Sequence, residues 1–237
     1  MKKGILVASL VISLAAIQAK AQTIVQWNFE TAGDTNGLVL APGAGNSPGN
    51  VAADIGTGNA SGLHATAATY STPAGDVDLT LAPTINPSVH SLSANGWSVG
   101  DYWQFQTSTL GFTGINVGWD QAGSGTGPSS FQLQYSTDGS TFTAFGGPSA
   151  VASSTWTTST SGASQNVVTS VPVDNQATVY FRLVDLSTVS ITGGTVGTGG
   201  TDRVDNFTVF AVPEPSTVAL VGASLLGMLA VRRRRHS

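Results

Sequence analysis

Along much of this chain apolar side chains fall at every second position in short runs, and Gly, Ser, Thr, Asn and Pro separate the runs. Val25, Trp27 and Phe29 alternate with Gln26 and Asn28, which predicts a half-buried first strand. Between Gly100 and Gln106, Trp103 and Phe105 oppose Tyr102 and Gln104, and Ile115, Val117 and Trp119 line one face of the next strand. The clearest hairpin has Phe131, Leu133 and Tyr135 on one face and Gln132, Gln134 and Ser136 on the other. Asp138-Gly139 supplies its turn, and Phe142 begins the return strand. In 177–185, Val179, Phe181 and Leu183 share a face against Tyr180 and Arg182, and 203–212 is the final strand.

The segments between are less regular. Leu63 to Ala68 and Val77 to Leu81 are strand candidates around a turn at Pro73, and 146–164, rich in Ser and Thr, runs along an edge or loop. Residues 31–62 have no apolar spacing and read as a long loop or flap, and 193–200 is a glycine-rich excursion. No repeat of fixed period is present, which argues against a propeller or solenoid. These elements predict an all-β protein: an antiparallel two-sheet sandwich of jelly-roll type, with an immunoglobulin-like sandwich as the alternative.

Both ends depart from this pattern. Lys2 and Lys3 precede the apolar stretch GILVASLVISLAAIQ, and Ala19-Lys20-Ala21 provides small residues where a signal peptidase reads. Residues 1–21 are therefore a signal peptide, and 22–212 form one exported domain. At the other end, a turn with two prolines leads into the uncharged segment 217–231 and then into Arg232, Arg233, Arg234 and Arg235. As a helix that segment spans about 22 Å against a hydrocarbon core of roughly 30 Å, with the arginines held on the cytoplasmic side. Gly222, Ala223, Ser224 and Gly227 leave such a helix smooth enough for another membrane helix to approach.

Removing the ends changes the charge. All three lysines lie in the leader and four of six arginines in the tail, so 22–212 holds twelve of the thirteen acids against Arg182 and Arg203, a net of −10. Such a domain repels nucleic acid, which is excluded as a partner. Cysteine is absent, so packing and hydrogen bonds must hold an exported fold together without disulfides.

Val212-Pro213-Glu214-Pro215-Ser216-Thr217, followed by the short span and the arginines, resembles the PEP-CTERM sorting signal of Gram-negative bacteria. The resemblance covers 212–237 and assigns Pro213, Glu214 and Pro215 as the recognition motif, 217–231 as a transmembrane segment, and 232–237 as the basic tail. It implies a membrane-embedded exosortase as partner, cleavage near the motif, and transfer toward the cell surface. It also implies an association with exopolysaccharide. Trp27-Asn28-Phe29, the hairpin from Gly127-Pro128 to Gly139, and Arg203-Val204-Asp205-Asn206 are similar to the exported β domains that precede such signals. An anchor that is never processed is the alternative reading of the tail.

In the body, Asp202, Asp205 and Asn206, with Asp174 and Asp185, supply the oxygen ligands that Ca²⁺ prefers and are the candidates for a structural calcium; the alternative is that they serve turns and that Arg203 pairs with an adjacent carboxylate. Trp97 and Trp156, in irregular polar surroundings, are the candidates for stacking on a sugar. Gly45-Asn46-Ser47-Pro48-Gly49 has the letters of a hydrolase elbow, but Pro48 follows the serine and no helix pattern comes after it. His64 and His90 stand beside no plausible nucleophile. No catalytic residue is expected. The sequence reads as a non-enzymatic exported protein of the cell surface or extracellular matrix, with a carbohydrate-binding module as the alternative and a polysaccharide hydrolase third.

Overall fold

A computed structural model describes residues 21–29, 51–63, 69–71, 91–153 and 164–211. The expected period-two runs become strands. In chain order they are β1 (Gln22–Trp27), β2 (Val51–Ala52), β3 (Gly58–Leu63), β4 (Thr69–Ser71), β5 (Ser91–Asn95), β6 (Tyr102–Thr107) and β7 (Ile115–Gly123). Then follow β8 (Ser130–Ser136), β9 (Thr143–Ala144), β10 (Ser149–Ala150), β11 (Ala152–Ser153), β12 (Ser164–Val168), β13 (Val179–Asp185) and β14 (Thr201–Ala211). Among the described residues no helix is long and apolar enough to cross a membrane.

Two sheets face each other. Sheet I runs β11-β7-β14-β5-β4, with β1 also on β14 and β12 also on β7, and sheet II runs β10-β8-β13-β6-β3-β2, with β9 on β8. Pairing is antiparallel except where β11 lies parallel to β7. From β5 to β8, and again from β12 to β14, successive strands alternate between the sheets, the connectivity of a jelly roll. The sandwich belongs to one compact unit, Lys20–Glu214.

Between the sheets lies an aromatic core. Phe207 of β14 stacks on Phe105 of β6 with ring centroids 3.7 Å apart and planes 3° from parallel. Trp27 meets both rings edge-on, at 5.2 Å and 6.0 Å. Val117, Leu133, Phe181, Val204 and Val209 complete the fully buried layer. Trp27, Phe105, Val117, Leu133 and Phe181 point inward as the alternation predicts, whereas Val204 and Phe207 of β14 have opposite parity and both reach the core only because the bulge after Asp205 shifts the repeat.

Strands β3, β5 and β12 were among those not legible from apolar spacing. β3 lies within the expected flap, and its sequence GNASGL has almost no large side chain. The reason is steric: a Cβ on Gly58 would lie 2.6 Å from the Trp27 ring, so the first core tryptophan needs a bare backbone there. β5, SLSAN, pairs with β14, and β12, SQNVV, which follows the 146–164 segment, pairs among the described residues with β7. The return strand β9 starts at Thr143, one residue after the expected Phe142. Residues 1–20, 30–50 with Ser47, the 64–68 and 77–81 strand candidates, His64, His90, Trp156 and 212–237 lie outside the described residues.

Candidate functional site

The core carries an internal hydrogen-bond network that Asp202 organises. Burying a tryptophan requires a partner for its indole N–H. Trp103 Nε1 donates to Asp202 Oδ2 at 2.7 Å, and Gln121 Nε2 donates to both Asp202 oxygens at 3.1 Å. Gln121 Oε1 in turn accepts from Trp119 Nε1 at 3.1 Å. Asp202 is fully buried and its pKa is raised well above the usual carboxylate value, first by desolvation and further by the charge of Asp185, against the lowering by Trp103 and Gln121.

Asp202 is thereby separated from the other expected calcium ligands. Alternation along β14 turns Asp202 and Val204 toward the core, whereas Asp205 faces the other side of sheet I, opposite Asp120 of β7. A bulge follows Asp205, and Asn206 occupies it with φ of 50°. Asn206 N donates to Asp205 Oδ1 at 2.7 Å, and its side-chain amide donates to Asp120 Oδ2 at 3.0 Å. Asn206 Oδ1 is buried without a hydrogen-bond partner. The set that comes together is Asp120, Asp205 and Asn206; Asp120 was missed because its partner is distant in sequence. Asp174 lies apart again, in the turn before β13, where its Oδ1 accepts from Ile115 N at 3.3 Å.

Trp97 is also corrected. It is 5% exposed, packs edge-on against Trp103 and Phe131 with centroids 5.0 Å and 5.3 Å away, and donates its N–H to Ala94 O. A ring enclosed in this way has no free face for a sugar. Its polar sequence surroundings belong to a tight turn, not to a surface platform.

Asp185, beside Trp97's turn, donates its backbone N–H to Asp101 O and accepts from Gly100 N. Its carboxyl is pushed up to about 6, mainly by desolvation, with the Asp101 charge adding to the rise, and burial raises Asp101 as well. A carboxyl raised in the fold binds protons that the unfolded chain does not, so between roughly pH 4 and 6 stability falls as pH rises. Lowering the pH from 7.5 to 5 is therefore expected to raise the unfolding free energy by on the order of 1 kcal/mol. Urea titrations at both pH values check this, and Asp185→Asn should flatten the slope. Asp138 runs oppositely, held at about 2 by backbone N–H groups, and its contribution is lost only below about pH 4.

The surface of the sandwich that is built like a site is the outer face of sheet II. Register places Asn59, Gln106, Tyr180 and Ser136 in one row across β3, β6, β13 and β8, and Ser61, Gln104, Arg182 and Gln134 in the next. Arg182 is its centre. The Arg182 guanidinium lies between two rings, 3.8 Å from the centroid of Tyr102 and 3.6 Å from that of Phe142, and its Nε donates to Gln104 Oε1 at 2.8 Å. Gln104 Nε2 reaches Ser61 Oγ at 3.4 Å, so one polar chain crosses three strands.

Local sequence sets the Phe142 ring over that arginine. Asp138 Oδ1 accepts from Ser140 N and Thr141 N, each at 2.7 Å, and from the Ser136 hydroxyl at 2.8 Å, which closes the turn after β8. Gly139, at φ of 73°, lets the turn pass against the Tyr180 ring, where a Cβ would sit 3.1 Å away. Gln132 Nε2 then donates to Phe145 O at 2.9 Å and holds the far side of the hairpin down. The hairpin is thus one wall of the face.

The chain therefore combines an all-β sandwich with a tail of separate character. Residues 211–235 match the PEP-CTERM protein-sorting motif, so the chain carries that sorting signal. No curated protein matches the sequence. Among solved structures, the body is similar to the K3 cleaved adhesin domain of Lys-gingipain from Porphyromonas gingivalis W83, at 14% identity and a TM-score of 0.40, covering 81% of this chain and 99% of that one. It is similar also to a family 35 carbohydrate-binding module from Clostridium thermocellum, at 15% identity and a TM-score of 0.37, covering 64% and 92%. A third is TmCBM61 in complex with β-1,4-galactotriose, at 10% identity and a TM-score of 0.35, covering 61% and 86%.

Proposed function

We propose that this is an exported protein whose sandwich is delivered to the cell surface or extracellular matrix by an exosortase acting on the tail, and that it serves there as a non-catalytic component associated with exopolysaccharide. The observation that carries the reading is the sorting motif at 211–235, joined directly to the end of β14 at Ala211. A signal peptidase removes the leader, and the 217–231 segment holds the chain in the membrane until it is processed. Replacing Glu214 with Ala in a host that has the exosortase should trap the protein in the membrane fraction. Unchanged surface delivery would leave the plain anchor.

The non-catalytic part rests on the chemistry available. Among the described residues there is no histidine, cysteine or lysine to act as base or nucleophile. Asp120, Asp202 and Asp205 are all fully buried. A second reading, that the body binds carbohydrate, is favoured by the amide-rich outer face of sheet II.

Calcium belongs to this proposal as a structural ion of the Asp120 and Asp205 carboxylates, with the Asn206 amide, whose Nδ2 donates to both in this fold, turning its Oδ1 toward the ion on binding. Millimolar Ca²⁺ should raise the thermal midpoint of the intact protein relative to EGTA, and Asp120→Asn should remove the gain. An equal midpoint in both buffers would dispose of the ion.

A further inference from the structure

We infer that the outer face of sheet II binds a polysaccharide bearing carboxylate groups, with Arg182 as the residue that takes the carboxylate. The inference rests on the proposed location among exopolysaccharide and names the polymer class for it.

Charge is distributed unevenly over the body. Of its twelve acids and two arginines, the outward positions of β3, β6, β8 and β13 hold no acid and one arginine, Arg182. At the hairpin turn, the Asp138 oxygen Oδ1 is already taken by two backbone N–H groups and a hydroxyl. Arg182 is half-buried, and its pKa is lowered by burial, with Tyr102 acting in the opposite direction. Within the described residues its guanidinium has two rings and one amide oxygen as neighbours. An arginine that stays charged and is partly desolvated without an anion gains more from one than a free surface arginine does. Stacking fixes its plane, so little side-chain entropy remains to be lost when a carboxylate pairs with the open edge.

The surroundings suit the rest of such a polymer. Side-chain amides offer a donor and an acceptor at fixed separation, the complement of sugar hydroxyls. Gln106 and Gln134 are half-buried on the two sides of Arg182, and neither side chain is engaged within the described residues. Asn59 lies exposed at the β3 side. With strands about 4.8 Å apart, β3 to β8 make a face about 14 Å across, long enough for an extended chain and too flat to enclose a small molecule. The acidity of the rest of the body is screened beyond about 8 Å at physiological salt, so it does not prevent contact on this face.

The test is affinity electrophoresis of the full chain in mild detergent, in gels containing polygalacturonate, dextran or polyglutamate. Polygalacturonate should retard the protein, dextran should do so weakly or not at all, and polyglutamate, which has the charge without the sugar, should not. Arg182→Gln should weaken the polygalacturonate interaction by about tenfold or more, the worth of a charge-assisted hydrogen bond. Gln106→Ala, at an outward position of β6, should weaken it less, and unchanged circular dichroism shows that each variant is folded. No retardation by polygalacturonate, equal retardation by polyglutamate, or unchanged binding by Arg182→Gln would overturn the inference. None of these results bears on sorting, which is read separately by surface delivery of the Glu214→Ala variant.

Discussion

Replacing Phe207 with Ala is expected to lower the unfolding free energy by about 3–5 kcal/mol, which is a large part of the stability of a domain of this size. Phe207 is fully buried and is the ring on which both sheets meet. It stacks on Phe105 of sheet II, meets Trp27 of β1, and lies 6.4 Å from Trp119 and 6.1 Å from Phe181. A cavity there is bounded by four large rings on rigid strands, which cannot collapse into it. The loss is read as a lower urea midpoint at unchanged m-value. A loss below about 1 kcal/mol would show that the two sheets do not pack through this ring.

Asp202→Ala should cost about 2–4 kcal/mol by a different route, because it leaves donors without acceptors in a dry interior. Trp103 Nε1 and Gln121 Nε2 both end on Asp202, and Gln121 also holds Trp119. Asp202→Asn keeps one acceptor and carries no charge, so it should cost less than half as much. If Asp202→Leu matched the parent protein instead, the network would be dispensable, as apolar replacements of buried polar clusters sometimes show. Thermal melts of the three variants decide the order.

The apolar alternation made most of the sandwich legible before any coordinates: Trp27, Phe105, Val117, Leu133 and Phe181 all point inward as their spacing requires. What it could not show are strands whose role is to be thin. β3 is recognisable only once Trp27 is known to need space above Gly58. The polar groups were harder still. Asp202 and Asp205 look equivalent in sequence, and only the β-strand repeat together with the bulge at Asn206 sends one into the core and the other to Asp120 on the opposite side of the sheet.

The binding face was hidden for a related reason. Tyr102, Gln104, Phe142 and Arg182 come from three separate stretches, and tryptophans drew attention away from them. Trp97 satisfied a composition argument and turned out to be core. A visible signal did exist, since Arg182 is one of only two cationic residues in the body and alternates outward beside Tyr180. In contrast, the tail was readable as it stands, because the order of proline turn, short apolar span and arginine cluster is linear and needs no folding to be recognised.

The most direct measurement is the mass of the C-terminal peptide of the protein recovered from the cell surface or medium of an exosortase-containing host. The account predicts a chain that ends near Pro213-Glu214-Pro215 and lacks Arg232 to Arg235. A surface protein that still ends in Arg235-His236-Ser237 would contradict it.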